Sequence, residues 1–129
     1  MLTITLHDET FTGDSLRHCD VSLHPVTTVR DIIAARVTAE VRRYNERPAD
    51  YFQGLVQPGE TEATLNGYHV RKHRRIDLEK QVYTALDAFQ KNGYFVLIDN
   101  IQAESLTQKV SLTSSTRISF LKLTPLVGG

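Results

Sequence analysis

A stripe of apolar side chains at helical spacing constrains the fold more than any other feature of this chain. The stripe runs from about residue 28 to 45, and a helix with one apolar face must bury that face against another element. Thr28 precedes the stripe and Asp31 stands three places on, a loose capping box that marks a helix start. The stripe consists of Val29, Ile33, Val37, Val41 and Tyr44, with Ile32, Ala35 and Ala39 beside it.

The first 24 residues predict the surface that this helix covers. Residues 2 to 7 alternate between apolar and polar side chains, and the alternation resumes around residues 18 to 23, as in two half-buried strands. Residues 8 to 15 are expected to form a turn, because Gly13 and Asp14 suit bent backbone. Pro25 is expected to end the second strand. The inward side chains of this hairpin are Leu2, Ile4, Leu6, Cys19, Val21 and Leu23.

The remaining two thirds of the chain predict fewer regular elements. Residues 46 to 68 are interrupted by proline and glycine, and we expect a long, partly ordered excursion there. A second helix is predicted from about 76 to 92, and strands at 94 to 98, near Val110 and Leu112, and at 117 to 123. The second helix has its own apolar stripe, made of Leu78, Val82, Ala85, Leu86 and Phe89.

Composition excludes several classes of protein. A chain of 129 residues with 40% hydrophobic residues can form one domain with a real core. Lysine plus arginine equals aspartate plus glutamate, at 15 each, so there is no global attraction to nucleic acid or to an anionic membrane. No stretch approaches the roughly 20 apolar residues of a membrane span. The first five residues lack the pattern of a secretory signal, so we expect a cytoplasmic protein.

No residue pattern predicts catalysis or metal binding. The five histidines, His7, His18, His24, His69 and His73, form no strong ligand motif, and the single cysteine, Cys19, is expected to be a small buried hydrophobe. The one basic run, residues 71–75, is expected to be a solvated loop before the second helix. It could contact phosphates or an acidic partner, but nucleic-acid binding is disfavoured because no aromatic platform accompanies it.

The order of these elements resembles that of ubiquitin and the ubiquitin-like proteins, including bacterial ones. The matching pieces are residues 2–6, 21–23, 28–32 and 95–98, and above all residues 115–123 followed by a short segment and Gly128-Gly129. The resemblance implies an α+β protein: a β-grasp sheet with one main helix, formed by residues 1–123. It further implies an insertion at about 46–93, which carries a loop and the second helix, and a flexible C-terminal tail at 124–129.

The resemblance also implies a function in which the protein supplies no catalytic group. A partner activating enzyme would use ATP to adenylate the Gly129 carboxylate, a carrier enzyme would take the acyl group, and a target would accept it. Gly128 would allow close approach in a narrow channel. A JAB-type protease is a further implied partner, and bacterial defence a possible setting. Partner contacts are expected at Leu121, Leu123, Pro125, Leu126 and Val127.

One departure from ubiquitin bears on the activating enzyme. Ubiquitin has arginine at the fifth position from the end, where its activating enzyme recognises it, whereas this chain has Pro125. A dedicated activating enzyme is therefore implied. Two alternatives stay open: a sulfur carrier that forms a thiocarboxylate at Gly129, and a non-covalent β-grasp interaction module. Neighbouring genes for conjugation enzymes, or for thiamin or molybdopterin synthesis, would separate them.

Overall fold

The computed structural model describes residues 1–10 and 15–122, without the side chains of residues 15 and 16. These residues form an α+β structure in which two helices pack on a mixed sheet. The helices are α1 (Val29–Glu46) and α2 (Leu78–Gln90). The strands are β1 (Leu2–Glu9), β2 (Ser15–Leu23), β3 (Val26–Thr28), β4 (Tyr51–Phe52), β5 (Thr61–Thr64), β6 (Gly67–Val70), β7 (Tyr94–Ile98), β8 (Ile101–Gln102), β9 (Lys109–Ser111) and β10 (Ile118–Lys122).

The main sheet places the first and last strands side by side. Its order is β2-β1-β10-β7-β8, with β1 and β10 parallel and every other neighbouring pair antiparallel. Leu6 lies opposite Ile118 across the parallel pair. At the far edge, Asp99 and Asn100 both have positive φ, at 49° and 68°, as expected for a tight two-residue hairpin between β7 and β8.

Helix α1 covers one face of this sheet, as the apolar stripe predicted. The Thr28 hydroxyl accepts a hydrogen bond from the Asp31 backbone N–H at 3.2 Å, which caps the helix. Ile33, Val37 and Val41 are at most 1% exposed and belong to one apolar cluster with the inward side chains of the sheet. Those side chains are Ile4, Leu6, Val21, Leu23, Val96, Ile118 and Phe120.

Helix α2 packs beside α1 on the same face of the sheet. The Tyr94 hydroxyl donates a hydrogen bond of 2.6 Å to the Ala85 carbonyl, and the ring of Tyr94 also neighbours those of Phe89 and Phe120. Ala85, Leu86 and Phe89 are buried as predicted, while Leu78 and Val82 are half-buried. Asp77 caps this helix by accepting from the Lys80 N–H at 3.0 Å. The second helix therefore extends the main core.

The segment after α1 is more regular than its proline and glycine content indicated. Strands β4, β6 and β5 form a small antiparallel sheet, which the sequence did not predict. Phe52 and Val70 from this sheet are buried in the main core, together with Leu55 and Val56 from the loop between β4 and β5. Gly67, at φ 117°, makes the tight turn between β5 and β6.

Two further differences concern the edges of predicted elements. The chain after Pro25 continues as β3, which pairs with β9 and so accounts for the predicted strand near Val110. Residues 8 and 9 were expected in a turn but extend β1, opposite residues 17 and 15 of β2. The rest of the predicted turn, with Gly13 and Asp14, lies outside the described residues. Within residues 1–10 and 15–122, no helix is long and apolar enough to cross a membrane.

Candidate functional site

The predicted site residues lie at and beyond the end of β10. Leu121 is half-buried and lies on the face of the sheet opposite Phe120, as its place in the strand predicted. The expected conjugation residues Gly128 and Gly129 lie outside the described residues. So do the other expected partner contacts, namely Leu123, Pro125, Leu126 and Val127.

Both helices pack on the other side of the sheet, so neither covers Leu121. The register places Leu121 between Glu9 and Phe95, and the next row consists of His7, Ser119 and Leu97. Phe95, Leu97 and Leu121 are each half-buried, in a band across the middle of the sheet. This band is called the open face below. It presents an apolar strip with polar groups along one side, which suits contact with another protein.

Hydrogen bonds fix the polar side of the open face. The Glu9 carboxylate accepts from the Arg117 guanidinium and, at 3.0 Å, from the Ser119 hydroxyl. The bond from Arg117 lowers the pKa of the Glu9 carboxyl. Burial, and then the charge of Arg117, lower the pKa of His7 on the same side. The face therefore carries an ionised glutamate and an uncharged histidine near neutral pH.

A cluster of buried charges lies beneath the sheet at the end where β10 finishes. The Arg36 guanidinium makes a two-pronged ion pair with Asp8, one contact of which is 2.8 Å, and reaches Glu40 at 3.3 Å. The three side chains are between 3% and 9% exposed. Arg36 also lies 4.6 Å from the ring centre of Phe120. Burial opposes the charge of Arg36, but Glu40 and Asp8 outweigh it and raise the pKa of the guanidinium.

The inserted segment is tied to the same end of the sheet. The Glu40 carboxylate accepts a hydrogen bond from the Leu55 backbone N–H at 3.2 Å. The Lys122 ammonium, on the last described residue of β10, donates to the Gly54 carbonyl at 3.1 Å. Burial lowers the pKa of Lys122. Residues 54 and 55 therefore lie against Lys122 of β10 and the charge cluster beneath it.

The sequence contained a signal for this cluster that the apolar pattern obscured. Ile32, Arg36 and Glu40 are four apart, so the two charged residues continue the helix side that begins with Ile32. Two opposite charges at this spacing are usually an exposed pair on a helix surface. Here they are buried because Asp8, expected in a turn, belongs to β1 and faces them.

The other candidate residues from the sequence, the basic run and Cys19, do not form a common site. Every residue of the basic run at 71–75 is exposed, as expected. Cys19 is a free thiol packed at the edge of the core and only half-buried, and burial raises its pKa. Among the described residues, no group of three or more histidine, cysteine, aspartate or glutamate side chains could hold a metal ion.

Comparisons with known proteins add no relative on which a function could rest. Neither the models of known protein families, nor the curated proteins, nor the solved structures contain a match to this chain.

Proposed function

We propose that this chain is a ubiquitin-like protein modifier with a β-grasp fold, conjugated to its target through Gly129. One observation carries the proposal. The last strand, β10, lies at the centre of the sheet, parallel to β1, and ends seven residues before Gly129. The mixed sheet with helix α1 across one face supports the resemblance to a β-grasp protein. Such a sheet holds its last strand on both sides while the following residues leave it at one end.

The proposed chemistry is a series of acyl transfers. A Gly129 carboxylate oxygen attacks the α-phosphorus of ATP on a partner enzyme, which forms an acyl adenylate and releases pyrophosphate. A cysteine thiolate of that enzyme or of a carrier attacks the carbonyl carbon, and AMP leaves. An amine or other nucleophile of the target then displaces the thiolate. Gly128 has no Cβ, so the chain can approach the nucleotide closely.

The open face supports a function that depends on partners. Its apolar strip of Phe95, Leu97 and Leu121 is half-exposed and adjoins the strand from which residues 123–129 continue. An enzyme that holds those residues can also contact this strip. Charged groups at its border, including Glu9, can orient the partner through complementary charges. We propose the open face as the surface that the activating and carrier enzymes recognise.

Mass spectrometry of the protein from its native host tests the proposal. A Gly129 isopeptide or ester to another protein is the expected result, whereas a thiocarboxylate would indicate a sulfur carrier. Deletion of Gly129 should abolish conjugates and ATP-dependent activation, with an unchanged thermal midpoint. The matched control is Gly59→Ala, because no atom lies within 4 Å of the added methyl group. A free acid at Gly129 in every sample, with full biological activity of the deletion variant, would refute the modifier function.

A further inference from the structure

A second surface lies on the inserted segment, where residues 71–75 form an exposed basic turn. Its first three residues, Arg71–His73, form a short 3-10 helix. Lys72 and His73 both have left-handed backbone, with φ of 56° and 50°. Residues other than glycine pay roughly 1–2 kcal/mol for this conformation. Such strain is maintained where the surrounding structure requires it, and it is concentrated at sites of function.

Two carboxylates hold the basic turn in this shape. Nε2 of His73 lies 2.6 Å from the Asp50 carboxylate, and the hydrogen bond from His73 lowers the pKa of Asp50. Arg74 is paired with Glu60. The middle of the turn is therefore paired with two carboxylates from the earlier part of the inserted segment.

The other three cations of the basic turn are available to bind a partner. Arg71, Lys72 and Arg75 are exposed, and none of them has an ion-pair partner among the described residues. Asn45 of α1 holds the backbone of Ile76 through two hydrogen bonds, of 2.9 and 3.0 Å, so the residue next to Arg75 is anchored to the body. An anchored backbone keeps these cations close together, so binding costs less conformational entropy than it would for a mobile loop.

A groove beside the turn adds a concave surface. It has a volume of about 760 Å³ and lies between the end of α1 and the start of α2. Arg42 and Arg75 line it from opposite sides, together with the acidic residues Glu46 and Asp77. On the other side of the turn, Glu60 and Glu62 line a smaller cleft with Arg71. Cations and carboxylates therefore alternate across this surface.

The alternation of charges favours one of two anionic partners, a nucleic acid or an acidic segment of a protein. A nucleic acid presents a row of phosphates that continues past the cations onto the flanking carboxylates, which would repel it, whereas a short acidic segment can place its carboxylates on the cations alone. An acidic segment of a protein presents separate carboxylates that can meet the cations one by one, and arginine pairs with carboxylates through two parallel hydrogen bonds. We propose that the basic turn and its groove bind an acidic segment of a partner protein. This interaction goes beyond the modifier function and does not depend on Gly129.

The test uses a fluorescein-labelled 12-residue peptide of alternating glutamate and serine as the probe, with binding followed by fluorescence anisotropy at low salt. The joint variant Arg71→Gln, Lys72→Gln and Arg75→Gln should weaken binding by about 10-fold, since it removes three cations whose attraction to carboxylates is least screened at low salt. A control variant removes the same charge elsewhere, at three exposed cations without ion pairs among the described residues. It carries Arg17→Gln, Arg30→Gln and Lys109→Gln, and its affinity should stay within about twofold of the wild type.

In the binding measurements on the full chain, three outcomes would overturn the proposal. These are an equal loss in the two variants, no binding by the wild-type protein, and tighter binding of a 12-nucleotide single-stranded RNA than of the peptide. Circular dichroism of both variants checks that the fold is intact. A chain that ends at Val127 should bind the peptide as well as the full chain does. Loss of binding in that truncated chain would also contradict the proposal, whereas failure of the modifier function alone would not.

Discussion

At the scale of single residues, Gly54 shows how closely the inserted segment is packed around Phe52, a side chain that it contributes to the main core. A Cβ at this position would lie 2.1 Å from the ring of Phe52, which is itself only 1% exposed. The ring is packed in the main core, so Gly54→Ala should lower the free energy of unfolding by about 1–3 kcal/mol. Urea denaturation measures this change. Gly59→Ala is the control, with an expected change within about 0.5 kcal/mol, and an equal effect of both substitutions would contradict the packing.

A substitution at Ile33 tests the packing of α1 against the sheet. Its side chain is fully buried in the apolar cluster beneath the sheet. An aspartate there would be a buried charge with no partner, which costs several kcal/mol, so Ile33→Asp should abolish folding. Arg30→Asp places the same charge on the exposed side of the first turn and should leave the thermal midpoint nearly unchanged. A cooperative thermal transition in Ile33→Asp would show that α1 does not rest on the sheet.

At the scale of secondary-structure elements, the buried charge cluster joins three parts of the chain. Asp8 belongs to β1, Arg36 and Glu40 belong to α1, and Glu40 holds the loop at Leu55. Arg36→Met removes the cation that is paired with both buried carboxylates, and the expected loss is about 3–5 kcal/mol in the free energy of unfolding. Chemical denaturation provides the measurement.

A compensated variant separates the loss of charge balance from the loss of side-chain packing. Asp8→Asn and Glu40→Gln, added to Arg36→Met, remove all three charges and keep amide groups of similar size. The triple variant should recover at least half of the stability that Arg36→Met loses, because the unpaired charges account for most of the cost. If it is no more stable than Arg36→Met, packing of the Arg36 stem and of its guanidinium on Phe120 is the larger contribution.

The accuracy of the sequence predictions followed the strength of local periodicity. The stripe of α1 and the alternation of β1 and β2 repeat several times, so helix, hairpin and main core could be predicted. The small sheet of β4, β5 and β6 could not, because its strands have two to four residues and show no alternation. Its position depends on Phe52 and Val70 entering a core built by distant residues.

The candidate site was predictable only in part, for a related reason. Leu121 could be placed on the open face from alternation in the last strand, and its half-buried position agrees. Phe95 and Leu97 belong to the same face only because β7 pairs with β10, a contact between strands that the sequence pattern does not specify. The burial of Arg36 depends on Asp8 more than 20 positions away, so it could not be inferred from helical spacing alone.

At the scale of the whole molecule, the shifted acidic and histidine groups predict a loss of stability in acid. Burial lowers the pKa of His7, Arg117 lowers that of Glu9, and His73 lowers that of Asp50. When a folded-state pKa is lower than the unfolded one, the unfolded chain binds more protons as the pH falls, and stability is lost. The loss should begin near pH 6.5, as His7 is protonated in the unfolded chain, and continue below about pH 4.5 as the carboxylates are protonated.

Single substitutions assign each part of this pH dependence. The His7→Gln variant should lose less stability than the wild type between pH 7 and 5.5, because it lacks the group whose protonation the folded sheet disfavours. The Glu9→Gln variant should lose less stability than the wild type below about pH 5, where this carboxyl is protonated in the unfolded chain. Urea denaturation at each pH gives the free energies of unfolding, and His24→Gln serves as the exposed histidine control. If His7→Gln and the wild type lose equal stability from pH 7 to 5.5, the lowered pKa of His7 is wrong.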